Sequence, residues 1–366
     1  MKRLLAVLVA VGLVGLGFLV RDLRAGGDGA LPTLPGGGSS AAASVLCDEA
    51  FAEVCDALAA DGELDVRREP AGTTVDRLVA LPDGASGEDL PEAWVTIAPW
   101  PAIVDEDRIR RGLAPLFDPA AEDTAIASSP LVLVTWDDRG EVLAAACEGG
   151  VIGLACLGEA AGRSWSDLGG PDAWAAFKPG LEDPARSSLG LAALGAFTAA
   201  ELDTLGFGTR SLADGGYLDV IARFGRSVPD FRPSAGSPLA AAVLTGPSSF
   251  DLVLTSEAAA RRAIEGSAQW GPRLVAAYPP VVGTDGGATS FDLVVATTGG
   301  TDAESLRGEV GAAAGAAGWH TSEVTPPPLA GEPGDTSQLP TEAPGATLPG
   351  AGALTALRTT FTETVR

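Results

Sequence analysis

At 366 residues the chain is long enough to form two lobes and bury a sizeable core. Its 24 basic residues face 48 acidic ones, a net charge of 24 − 48 = −24, which excludes the broad basic surfaces that hold nucleic acid or anionic lipid. His320 is the sole histidine, which argues against a zinc site, and the lack of asparagine excludes N-glycosylation.

The chain opens on Met1-Lys2-Arg3 and an apolar run from Leu4 to Val20. That run is long for a signal h-region and at the short end for a membrane span. Leu23 spoils the small-x-small pattern before Ala25, so a retained signal-anchor over 1–25 is the expectation, with cleavage near Ala25 the alternative. The short basic start places the body outside the cell, where cysteines pair. Cys47, Cys55, Cys147 and Cys156 leave three connectivities open, and local pairing, Cys47–Cys55 and Cys147–Cys156, is the preferred one. Eight residues of helix would hold the first pair ~12 Å apart, beyond the ~7 Å limit, so Cys47 must lie on a strand end or loop.

Residues 26–43 read as a flexible linker by composition. Ser44 to Cys47 and Glu63 to Glu69 read as strands around a helix from Ala50 to Ala60. Ala71-Gly72-Thr73-Thr74 reads as a small-residue turn ahead of a helix over Val75 to Leu81. A strand over Ala93 to Ala98 ends at Pro99-Trp100-Pro101, and a helix follows over Asp105 to Leu113. The run Leu131 to Trp136 is apolar on both faces, as a buried central strand is, and Asp137-Asp138 reads as the turn after it. Such alternation of strands and helices predicts an α/β layer structure with mainly parallel strands.

Farther on, Lys178 to Phe197 reads as a turn followed by a helix, with Leu191, Leu194 and Phe197 at helical spacing. Ser187-Ser188 fall where the N-cap belongs, so they either cap the helix or, with its free amides, hold a polar ligand. Helices are expected over Ala199 to Leu205, Leu218 to Phe224, Glu257 to Gly266 and Asp302 to Trp319. Strands are expected over Leu239 to Leu244, Phe250 to Leu254, Arg273 to Tyr278 and Phe291 to Ala296. Residues 323–366 read as a Pro/Gly-rich tail, with a short helix over Leu354 to Arg366 as an option.

Catalytic signals are weak. No GxSxG, SxxK, P-loop or dinucleotide fingerprint occurs, and the single histidine, expected at the surface, follows the last long helix. No cofactor and no metal is implied. What remains is a set of small polar turns at strand-to-helix junctions: Thr73-Thr74, Pro99-Trp100, Ser128-Ser129 and Ser187-Ser188. In an open α/β sheet, ligands bind beyond the carboxyl ends of strands, where such turns gather.

The order of several segments carries more. Ser128-Ser129-Pro130-Leu131-Val132-Leu133, Trp165-Ser166-Asp167-Leu168, Lys178 to Pro184 with its two following serines, and Leu274 to Pro280 before Gly283-Thr284 and FDLVV stand in sequence. In this order the chain resembles the type 2 periplasmic or extracellular solute-binding proteins, in particular actinobacterial membrane-anchored substrate-binding domains, over about 44–321. The resemblance implies an α/β fold of two lobes, 44–127 with 283–322 and 128–282, joined by two crossovers and preceded by the transmembrane helix. It implies a ligand held by Thr73, Thr74, Trp100, Ser128, Ser129, Ser187, Ser188 and Tyr278, with Trp100 either a stacking wall or a core residue. Relatives of this kind often offer a serine at Cys47 and often continue into a von Willebrand A domain. Asp335 to Leu339 lacks the last serine of a metal-binding DxSxS.

The expectation is therefore a membrane-tethered extracellular protein that holds a small polar or oxyanion-like solute for uptake or sensing, with a transporter or signalling partner. The alternatives are a ligand-free, partner-binding ectodomain on the same fold and, third, a hydrolase or transferase.

Overall fold

The structure, a computed structural model, describes residues 43–60, 62–86, 89–118, 124–280, 289–298, 303–329 and 348–365. The expected signal-anchor, the linker up to residue 42, Gly283-Thr284 and residues 330–347 lie outside them. Among the described residues no helix is long and apolar enough to cross a membrane.

The chain begins with strand β1 (Ala43–Asp48), helix α1 (Ala52–Ala60), β2 (Leu64–Glu69), α2 (Ala71–Ala80), β3 (Ala93–Ile97) and α3 (Trp100–Arg110). Next come β4 (Ala127–Trp136), α4 (Asp137–Ala146), α5 (Leu154–Ala160), the two-residue β5 (Pro179–Gly180) and α6 (Ser188–Glu201). They are followed by α7 (Thr209–Leu212), α8 (Gly215–Ser227), α9 (Pro238–Thr245), β6 (Leu252–Ser256), α10 (Glu257–Gly266) and β7 (Leu274–Ala277). Last are β8 (Ser290–Thr297), α11 (Ala303–Ala316) and α12 (Ala351–Val365).

Strand β4 organises the sheet. Its first residues, Ala127 to Pro130, pair with β8 in a ladder ordered β2-β1-β3-β8-β4. From Leu131 onward it pairs with β6 on one side and, from Leu133, with β7 on the other, and β5 joins β6. The change of partner falls at Ser129-Pro130-Leu131. This is the mixed sheet of a two-lobed α/β fold. Among the described residues only β1–β2, β1–β3 and β5–β6 are parallel. The expectation of mainly parallel strands is corrected, because β8 runs antiparallel to β3 and β4, and β4 runs antiparallel to β6 and β7 as it passes into the second ladder.

The core follows from apolar runs too long to be half-exposed. All five residues of β3 are buried, as are Leu131 to Trp136 of β4. Helix α6 is buried on every side from Ser188 to Ala199, as an all-apolar helix must be, and packs on both β3 and β6. The disulfides are Cys47–Cys55 and Cys147–Cys156, with Cα atoms 5.8 and 5.6 Å apart. Cys47 lies in strand β1, ahead of the helix that carries Cys55.

Four local expectations change. Helix α2 starts at Ala71 after an extended Pro70, so Thr73-Thr74 lie inside its first turn. Helix α3 starts at Trp100, with Pro101 where a missing N–H costs nothing. Asp137-Asp138 open helix α4, where carboxylates suit the positive end of the dipole. Leu239 to Leu244 is helix, not strand: the Ser237 hydroxyl accepts from the Ala240 amide at 3.1 Å and Pro238 starts the turn. At the C-terminus the tail reading gives way to α12, whose Leu354, Leu357 and Phe361 are fully buried.

Candidate functional site

The site is built where the first ladder ends against the start of α6. Strand β1 is apolar up to its last residue, Asp48, whose side chain caps the following turn by accepting from the Ala50 amide at 3.1 Å. The other carboxyl oxygen accepts from the Thr96 hydroxyl of neighbouring β3 at 3.2 Å. From the opposite side comes Ser188, the first residue of α6, whose buried hydroxyl makes no hydrogen bond among the described residues yet lies near enough to the same carboxyl to hold its titration down. Asp48, Thr96 and Ser188 are all fully buried. Burial pushes the Asp48 carboxyl up to about 7; the Ser188 hydroxyl and Ala50 amide oppose this, nearby Glu182 reinforces it, and Thr96 opposes it.

Glu182 is the second carboxyl. It accepts from the Ser187 hydroxyl, and that hydroxyl in turn accepts from the Gly190 amide at 3.1 Å as the N-cap of α6. Burial raises its titration, the Ser187 contact opposes this, and the charges of Glu49 and Glu53 raise it further. A side chain at Gly190 would stand 2.4 Å from the Glu182 carbonyl oxygen, so glycine is what lets the turn fold back over the helix start. The arrangement offers a carboxyl that holds or releases a proton near neutrality, flanked by hydroxyls.

The residues expected from sequence divide into groups. Ser187 and Ser188 stand at the site. Thr73 is exposed in the first turn of α2, and Thr74 is buried and donates to Glu69 at 2.8 Å. That turn reaches the α6 side through the Gly72 amide, which donates to the Arg186 carbonyl at 2.9 Å. Trp100 is 1% exposed in the core, and its indole N–H has no partner among the described residues.

Ser128, Ser129 and Tyr278 gather at the β4 crossing instead. The Ser129 hydroxyl accepts from the Ala258 amide at the start of α10. Ser128 exchanges two backbone hydrogen bonds of 2.8 Å with His320, whose ring lies 3.1 Å from the Glu257 carboxylate. His320 is thus half-buried and paired, where sequence alone places it at the surface. The Tyr278 hydroxyl accepts from the Leu329 amide at 3.0 Å. Asp48, Thr96 and Glu182 went unread in the sequence, although an acidic residue directly after the apolar SVLC was a visible signal for the first. Among the described residues no group of three His, Cys, Asp or Glu is placed to hold a metal ion.

No protein-family model and no curated protein matches this sequence. Solved structures do match the fold. A periplasmic thiamin binding protein superposes with a TM-score of 0.54 over 92% of this chain and 100% of its own, at 15% identity. The substrate binding protein of an ABC transporter from Agrobacterium tumefaciens gives 0.50 over 90% and 96%, at 14% identity. Both are binding proteins. At this identity the likeness is one of fold.

Proposed function

We propose that this chain is a solute-binding protein that holds a small polar solute at the carboxyl ends of β1 and β3 and the amino end of α6. One observation carries the reading: Asp48, at the end of β1, and the unpartnered hydroxyl of Ser188, at the start of α6, lie close together beyond the carboxyl ends of strands, where an α/β sheet binds ligands. The carboxyls of Asp48 and Glu182 disfavour the oxyanion expected from sequence and favour a solute that brings N–H or O–H donors. Ser187, Ser188, Thr73 and the unpaired Trp100 indole complete the ligand set. Thr74, Ser129 and Tyr278 support it from behind through their hydrogen bonds, as Ser128 does through its backbone bridge to His320.

The apolar run from Leu4 to Val20 serves as a signal-anchor that holds the body on the extracellular side, where disulfides persist. The protein delivers its solute to a membrane transporter or reports it to a signalling partner. A second reading is a ligand-free ectodomain on the same fold, favoured by the direct hydrogen bond between Gly72 and Arg186 across the place a solute would enter.

A thermal-shift screen of the full-length chain in detergent against small cationic, amine and hydroxylated solutes separates the two. A solute at a hundred times its dissociation constant adds ~2.7 kcal/mol, a rise of a few degrees. A rise that Ser188→Ala abolishes supports the receptor. Silence across the panel with a folded sample moves the assignment to the scaffold.

A further inference from the structure

Helix α12 lies against α3, from the first-ladder side, and against α6, α7 and α8, from the second. It is bedded closely: a side chain at Gly195 of α6 would stand 2.9 Å from Leu354, and one at Gly225 of α8 2.4 Å from Val365. One polar residue on this helix, Arg358, reaches both sides of the junction. Its Nε donates to the Ala185 carbonyl at 3.1 Å, just ahead of α6. Its two terminal nitrogens donate to the Asp76 carboxylate of α2 at 3.4 and 3.3 Å, and one of them to the Gly72 carbonyl at 3.4 Å. The same Gly72 gives its amide to Arg186. A single guanidinium, four-fifths buried, thus spans the seam beside the one backbone hydrogen bond described there between α2 and the start of α6.

We propose that α12 is a clasp in cis. Through Arg358 it holds the seam between α2 and the start of α6 shut, and opening of that seam is coupled to release of the C-terminal helix. The planar fork of arginine suits this task, because its donors are preset to reach three acceptors from one position. Buried Leu354, Leu357 and Phe361 seat the helix against the body, and Arg358 turns that seating into a hold on the seam. The inference goes beyond the solute-binding reading and does not depend on it.

The test is hydrogen exchange on the full-length chain in detergent, without solute, comparing the parent with Arg358→Ala, Arg358→Lys and Asp76→Ala. The expected result is exchange about tenfold faster at the Gly72 amide in Arg358→Ala, the scale set by loss of hydrogen bonds to a charged donor. The amides of β3 and β6 keep the parent rate, Arg358→Lys gives an intermediate increase, and Asp76→Ala a smaller one. An unchanged rate at Gly72 overturns the clasp. So does an increase shared equally by β3 and β6, which is general loosening of the fold. Arg358→Lys keeps the test decisive if Arg358→Ala fails to fold. Because no solute enters, a failed clasp leaves the solute-binding reading standing, and a silent solute screen leaves the clasp standing.

Discussion

The amide of Gly72, in the first turn of α2, donates to the carbonyl oxygen of Arg186, 2.9 Å away on the segment that leads into α6. The approach is closer than any side chain permits: a Cβ at Gly72 would stand 2.0 Å from the carbonyl oxygen of Ala185. The backbone of α2 and the backbone leading into α6 therefore touch here because one of them carries glycine.

Gly72→Ala forces the seam apart. Overpacking against rigid backbone costs about 1–3 kcal/mol, and the expected outcome is a lower urea midpoint together with faster exchange at the neighbouring amides. An unchanged midpoint and unchanged exchange would mean that the closed seam is not the state populated in solution.

The proton on Asp48 makes stability depend on pH. Its carboxyl titrates near 7 when folded, against 3.8 in the open chain, so the native state binds more protons between those values. Its contribution is fully present below about pH 4 and is lost as pH rises through about 7. Glu201, raised to about 7 chiefly by burial, acts in the same direction. Melting temperature should therefore fall across this window in the parent chain. Asp48→Asn keeps an oxygen for the Ala50 amide and removes the ionisation, so the fall should be shallower and the variant the more stable at pH 8. A variant that follows the parent curve throughout would remove Asp48 from the account.

The strands β1, β3, β4, β6 and β8 were largely legible as apolar runs, whereas their mostly antiparallel pairing was not, and the two lobes came only from the family resemblance. The start of α6 was legible as well, since Ser187 stands between a turn-forming Asp-Pro and an apolar helix. Less visible was anything decided by partners distant in sequence. Leu239 to Leu244 is apolar and β-like until Ser237 and Pro238 are read as a helix start. The last helix was read only as an option at the end of a Pro/Gly-rich tail, and its burial depends on Phe231, Gly195 and Gly225, far back in the chain. Asp48 fell just past the expected strand Ser44 to Cys47 and went unread, and only the fold brings Ser188 near it.

Hydroxyls that hold the scaffold and hydroxyls that face the site should separate in solute-free stability. Ser129→Ala leaves the buried amide of Ala258 without its acceptor, at a cost of about 1–3 kcal/mol. Ser187→Ala removes the N-cap of α6 and should cost about 1 kcal/mol. Guanidinium denaturation of both variants checks the order. If Ser129→Ala proves as stable as the parent, the Ser129 hydroxyl is not the support of α10, and a direct role toward solute becomes the better assignment.

Helix α12 should behave as core. Phe361 is 1% exposed and meets Phe231 edge-on, with ring centroids 5.6 Å apart at 87°. Leu357, one turn earlier on the same face, is fully buried. Truncating a buried phenylalanine costs ~3–5 kcal/mol and a buried leucine ~2–5, whereas the same change in a solvated tail costs nothing. Phe361→Ala and Leu357→Ala should therefore each lower the denaturation midpoint strongly. Thr359→Ala, whose hydroxyl donates only to the Thr355 carbonyl within the helix, should stay near the parent. Equal stability of all three with the parent chain would place α12 off the body, and with it the Arg358 contacts across the seam.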